Sequence, residues 1–177
     1  MTFMPMRLCA RALPVAVVAL VVASPAFAQV RALFEDVGKA DWKEAELKLP
    51  AYPLDANLIP LAVSPFATAR FFIDEKSLSL GDDGVVRYTL IVRASGGAQN
   101  VSYEGIRCET AERKLYAFAR PDGEWTRSRN DTWQQIEEKN YNRQHAVLAK
   151  DFFCPPGAVR PGLGQIVEAL RREGGVR

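Results

Sequence analysis

Residues 85–120 restrict the fold of this chain more than any other stretch. In Val85-Val86-Arg87-Tyr88-Thr89-Leu90-Ile91-Val92-Arg93 the even positions are apolar, while Arg87, Thr89 and Arg93 among the odd ones are polar. Apolar residues at period two, many of them β-branched, predict a half-buried strand. After a Gly96-Gly97 break, a second run over 100–109 begins with Val101 and Tyr103 on one face and ends with Ile106 and Cys108 on the other. A phase slip at a glycine, here Gly105, predicts a β-bulge. The third run, 113–120, places Tyr116 and Phe118 on one face and small aliphatic residues on the other, and stops at Pro121-Asp122-Gly123. Links this short make neighbouring strands antiparallel, so the three runs read as a meander.

The first 28 residues have the layout of an export signal. Arg7 and Arg11 form a positive start, residues 14–22 an apolar stretch too short to span a bilayer, and Ala26-Phe27-Ala28 a cleavage site. The mature chain is expected to begin at Gln29. Its loss of Arg7 and Arg11 lowers the basic residues from 23 to 21, against 21 acidic ones. A near-neutral mature protein gives no argument for nucleic acid or an anionic membrane surface. Its 149 residues suit one core.

Cys9 lies ahead of the apolar stretch, whereas a lipid-bearing cysteine would follow it, so no lipoprotein is expected. Cys108 and Cys154 remain, an even pair in an exported chain. A disulfide is the default reading, with two free thiols as the alternative.

Residues 29–40 read as a lead-in, followed by one domain over 41–177. Asp41-Trp42-Lys43-Glu44 has the form of a capping box, and Trp42, Ala45 and Leu49 then share one face of a short helix ended by Pro50. Residues 58–63 read as an edge strand because Pro60 lies within it. Residues 70–73 and 77–80 read as two strands around an Asp74-Glu75-Lys76 turn, and Gly81-Asp82-Asp83-Gly84 turns the chain into the meander. Residues 123–136 read as a long loop or two short strands. Asn140 can cap a helix to Phe153 with Tyr141, His145, Leu148 and Phe152 on one side, stopped by Pro155-Pro156-Gly157. A last helix carries Leu163, Ile166, Val167 and Leu170 as its stripe and stops at Gly174.

The chemistry on offer is sparse. His145 is the only histidine, and its helix face predicts a core position. With two mature cysteines and one histidine, a zinc site lacks ligands, and neither a metal nor another cofactor is expected. Asp82-Asp83 and Glu137-Glu138 lack the spacing of a calcium loop and read as a hairpin turn and a solvated face. The glycine pairs lack phosphate-loop spacing. The one pointed feature is a gathering of Arg107, Arg113, Lys114, Arg120, Arg127 and Arg129 near Tyr103, Tyr116, Trp125 and Trp133. A cationic aromatic groove of this kind suits an acidic polymer or a partner peptide.

Five blocks, Asp41-Trp42-Lys43-Glu44 to Pro53, residues 88–93, 101–108, Lys114-Leu115-Tyr116-Ala117-Phe118 with Asp122-Gly123-Glu124-Trp125, and Asp151-Phe152-Phe153-Cys154-Pro155, together resemble the CNP-one-like (CNP1-like) family. The resemblance implies a Gram-negative envelope protein and brings no established catalytic residues to carry over. Some members of that family resemble lipoproteins, from which this chain departs at Cys9.

The expectation is therefore a single α+β domain, an antiparallel sheet with two C-terminal helices on one face, exported to the periplasm. Function is expected to be non-catalytic, an accessory or binding role on a surface of Arg107, Trp125, Arg127 and Trp133, with an envelope protein or acidic polymer as partner. A hydrolase using carboxylates and His145 is the alternative. An exposed Trp-Arg surface favours the first and a conserved, buried polar cluster around His145 the second.

Overall fold

The computed structural model describes residues 42–138, 143–157 and 160–175. The expected signal segment 1–28, the lead-in 29–40 and the caps Asp41 and Asn140 lie outside the described residues. Every described element belongs to one compact unit, Lys43–Arg177.

Seven strands form one antiparallel sheet: β1 Leu58–Leu61, β2 Ala69–Leu80, β3 Val85–Ala94, β4 Gln99–Arg107, β5 Glu112–Ala119, β6 Trp125–Arg127 and β7 Gln134–Gln135. Their order across the sheet follows the chain from β1 to β6, and β7 pairs with β5 beside β6. The meander is thus β3 to β5, and β1 with Pro60 is an edge. Two helices follow. The first begins as α1, Arg143–Val147, and widens into a π turn, Leu148–Phe153, where the Cys154 N–H donates to the Ala149 carbonyl five residues back. The second is α2, Leu163–Glu173.

Even-numbered β3 and β4 residues, Val86, Tyr88, Leu90 and Ile106, form the core with β1, β2 and both helices. The π turn brings Phe152 and Phe153 both inside, Phe153 tilted against Tyr88 with ring centroids 5.3 Å apart. Alone, the eleven residues of α2 would be marginal as a helix. Burial of Ile166 and Leu170, about 2 kcal/mol each, docks it on the sheet. The Cys108–Cys154 disulfide, with Cα atoms 5.4 Å apart, fastens the end of β4 to the end of the π turn.

Four expectations are corrected. Residues 42–54 form no helix: residues 43–54 run as a strap over the odd-numbered face of β3 and β4, where side-chain contacts override the local helical pattern. This second cover also explains why β3 is buried on both faces and not half-buried, with Val85, Thr89 and Ile91 enclosed along with the even positions. Residues 70–73 and 77–80 belong to a single strand, β2. In it residues 75–78 bulge opposite Tyr88, and Ser77 Oγ replaces the ladder by accepting from the Thr89 N–H and donating to the Asp74 carbonyl, both at 2.8 Å.

The bulge expected at Gly105 lies instead on β5. The β3–β4 register is continuous through Gly105, whereas Tyr103 pairs with Ala117 and Glu104 with Leu115, leaving Tyr116 as the extra residue. The bulge separates Tyr116, turned onto the strap face, from Phe118, which is half exposed. Gly105 is needed for close approach, since a Cβ there would stand 2.6 Å from the Tyr116 hydroxyl and 2.9 Å from Val85 Cγ1. Gly174 likewise has an ordinary right-handed φ of −59° and serves closeness, a Cβ on it falling 2.7 Å from the Pro60 carbonyl.

Candidate functional site

Polar chemistry collects on both faces of β3–β5, in two places of different character. On the helix face, Glu104 sits opposite Tyr88 in the β3–β4 register, at an inward position that a strand normally gives to an apolar residue. His145, from the first turn of α1, places Nε2 2.7 Å from Glu104 Oε2. The Tyr88 hydroxyl donates to the same oxygen at 3.0 Å and the Ser102 hydroxyl to Oε1 at 2.7 Å. Burial by itself would raise the Glu104 carboxyl, but His145, followed by the Ser102 and Tyr88 hydroxyls, holds it below its ordinary value. Burial and then the Glu104 charge push the Tyr88 hydroxyl well up. His145 is 3% exposed, and its Nδ1 is enclosed without a hydrogen-bond partner among the described residues.

On the strap face four rings form a continuous ladder. Trp133 stands edge-on to Tyr116 at 6.4 Å between centroids, Tyr116 is 5.8 Å from Tyr103, and Tyr103 is 6.0 Å from Trp125. At one end Lys114 Nζ lies 5.5 Å from the Tyr116 ring centroid and 5.9 Å from that of Trp133. Beside it, Arg87 makes a two-pronged pair with Asp83 at 3.1 and 2.5 Å, and Asp83 also accepts from the backbone of Val85 and Ala45. Burial would raise the Asp83 carboxyl, yet the Arg87 bonds and these two N–H groups hold it at about 2. The Asp82-Asp83-Gly84 pair is therefore a hairpin turn with a structural ion pair, Gly84 taking φ +80°.

The strap lies along this ladder. Glu44 accepts from Lys114 Nζ at 2.9 Å and from the Tyr116 hydroxyl at 2.6 Å, with Arg87 Nη2 3.8 Å away. Burial and then the Glu44 bond raise the Tyr116 hydroxyl. Further along, the Trp125 indole donates to the Pro50 carbonyl at 2.8 Å, and Gln99 Nε2 to the Tyr52 hydroxyl at 3.4 Å.

The four residues expected to form a binding surface are divided by this geometry. Trp125 and Trp133 are half-buried at the two ends of the ladder. Arg127, on β6, is exposed, as is Arg129 beyond it, and neither has an ion pair among the described residues. Arg107 stands apart: it is buried at the far end of β4, about six residues or ~20 Å of strand from the Trp125 register, and pairs with Glu109 at 3.0 Å. Sequence reasoning missed Glu104, Asp83, Arg87 and Glu44 as partners. Glu104 had a readable signal, since it shares the even parity of Ile106; Glu44 had none, because its partners Lys114 and Tyr116 lie some 70 residues away.

Among the described residues no group of His, Cys, Asp and Glu could hold a metal ion, and no helix is long and apolar enough to cross a membrane. No curated protein and no solved structure matches the chain. A family model does match over residues 37–171, spanning the strap, the whole sheet, both His145 and the disulfide, and most of α2, and the chain belongs to the CNP1-like family.

Proposed function

We propose that the protein is an exported envelope protein that acts by binding, without catalysis, and that its partner is acidic. The observation that carries this reading is the rim of the aromatic ladder. Arg127 and Arg129 are exposed cations with no ion pair among the described residues; Arg127 shares β6 with Trp125, and the Trp125 and Trp133 rings are fixed by packing on Tyr103 and Tyr116. Planar cations beside rigid aromatic rings suit carboxylate-rich partners. The export layout of residues 1–28 and the Cys108–Cys154 bridge accord with an oxidising compartment.

The hydrolase alternative draws on the His145–Glu104 pair. Against it, Nε2 is engaged by Glu104, Nδ1 is enclosed, and the Ser102 hydroxyl is committed to Glu104, so among the described residues no nucleophile is presented to the imidazole.

Recovery of partners by tagged mature protein from a periplasmic extract tests the reading. Arg127→Ala should weaken recovery while moving Tm by no more than about 3 °C, and His145→Gln should leave recovery intact in the folded fraction. Unchanged recovery with Arg127→Ala, or loss of a measured activity with a folded His145→Gln, would reverse the order of the two readings. Intact mass of the exported protein checks cleavage after Ala28.

A further inference from the structure

Of the cations and rings that the sequence gathers, Lys114, Tyr116 and Trp133 come together beside Arg87, and the chain sets its own carboxylate against them. Glu44 contacts Lys114, Tyr116 and, more distantly, Arg87. The seat it occupies is organised without it. Arg87 is already neutralised and oriented by Asp83, Tyr116 is fixed by the β5 bulge over Gly105, and Lys114 is held between the Tyr116 and Trp133 rings. Taking Glu44 away would leave an ammonium and a phenol hydroxyl converging on one vacant carboxylate position.

The hold on the strap is slight by comparison. Apart from Glu44, the polar ties of residues 43–54 to the sheet among the described residues include the Ala45 N–H to Asp83, the Pro50 carbonyl to Trp125 and the long Tyr52 contact to Gln99. No backbone–backbone hydrogen bond joins residues 43–53 to a strand among the described residues, and of residues 43–54 only Pro53 is buried. Pro50 and Pro53 lack N–H groups and cannot add to a ladder. The segment's own pattern, with Ala45 and Leu49 four apart after an acidic cap, favours a helix, so its non-helical form depends on these few contacts.

We propose that residues 43–54 are a displaceable strap and that the Lys114–Tyr116–Arg87 seat binds a carboxylate of an extended acidic peptide, which Glu44 occupies in its place. The proposal rests on the binding reading above and adds its regulation: a partner engaging the Arg127 rim would complete its binding by displacing Glu44 and reaching the ladder beneath. A tethered competitor acts at an effective concentration in the millimolar range, so the seat is closed to weak ligands while the strap is in place.

The test uses a fluorescently labelled synthetic peptide of residues 43–54 and the full mature chain, read by anisotropy. Glu44→Ala should bind the peptide at least ten-fold more tightly than the wild type, because its own strap no longer competes well. Adding Lys114→Ala should abolish the gain, and a peptide carrying Glu44→Gln should bind poorly. Glu44→Gln in the protein, which keeps an acceptor for Tyr116, should give a smaller gain and serves as the folded control. Equal affinity for wild type and Glu44→Ala, or a gain indifferent to Lys114→Ala, overturns the strap. No partner enters this titration, so its failure is separate from failure of the Arg127 recovery experiment.

Discussion

Replacing His145 by leucine tests what holds the helices to the sheet. Glu104 is 6% exposed and accepts three hydrogen bonds, from His145, Tyr88 and Ser102. Removing one partner of a buried pair costs roughly 3–5 kcal/mol, because the other is left desolvated without compensation. Two hydroxyl donors remain on Glu104 at 3.0 and 2.7 Å, which puts His145→Leu near the lower end, about 3 kcal/mol. For a chain of this size that is a fall in Tm of roughly 6–12 °C. The pH dependence has a defined sign. Glu104 is held below its ordinary value in the folded wild type, so the network's contribution is present above the unfolded carboxyl range and lost as pH falls through the folded value. In His145→Leu burial acts on Glu104 without that counterweight and raises its carboxyl, so the variant gains stability as pH falls from neutrality. The deficit should narrow toward acid. Urea unfolding at pH 7 and pH 5 of wild type, His145→Leu, Glu104→Gln and the double variant measures both effects. The double variant should be far less destabilised than the sum of the singles. A coupling below about 0.5 kcal/mol, or a deficit that widens toward acid, would refute the account.

Loss of the Cys108–Cys154 bridge in Cys108→Ser/Cys154→Ser should cost about 4 kcal/mol, the chain entropy for a separation of 46 residues, in urea unfolding without reductant. Thiol labelling of the denatured, unreduced wild type should find no free cysteine. Asp83, held at about 2 against a usual 3.8, contributes about 2 kcal/mol that is complete above pH 4 and lost between pH 4 and 2; Asp83→Asn should remove that slope from acid unfolding curves. Gly105→Ala should cost about 1–3 kcal/mol and loosen Tyr116 from Glu44, visible as a changed tyrosine environment in near-ultraviolet dichroism.

Alternation in residues 85–93 and the short glycine links were enough to determine the antiparallel meander, because period two and turn length act locally. Proline 60 determined an edge strand in the same way, and the Ile166 and Leu170 spacing a docked helix. The cysteine count pointed to the bridge that the fold then brings within 5.4 Å between Cα atoms. What no local pattern could decide was where distant pieces meet. Residues 42–49 carry a helical signal, yet form no helix because Lys114 and Tyr116 hold Glu44 and Trp125 holds the Pro50 carbonyl just beyond, all remote in sequence. Alternation in β4 suggested a bulge at Gly105, when both faces of the strand are in fact buried and the extra residue is Tyr116 on its neighbour. Arg107 and Arg127 looked alike in the sequence; the register buries one against Glu109 and leaves the other in solvent. His145 had a readable position but no readable partner, since the charge that meets it stands 41 residues earlier on β4. Tertiary structure made these decisions because hydrogen bonds and ion pairs depend on distances of a few ångströms between groups, and sequence spacing sets such distances only within a single helix, strand or turn.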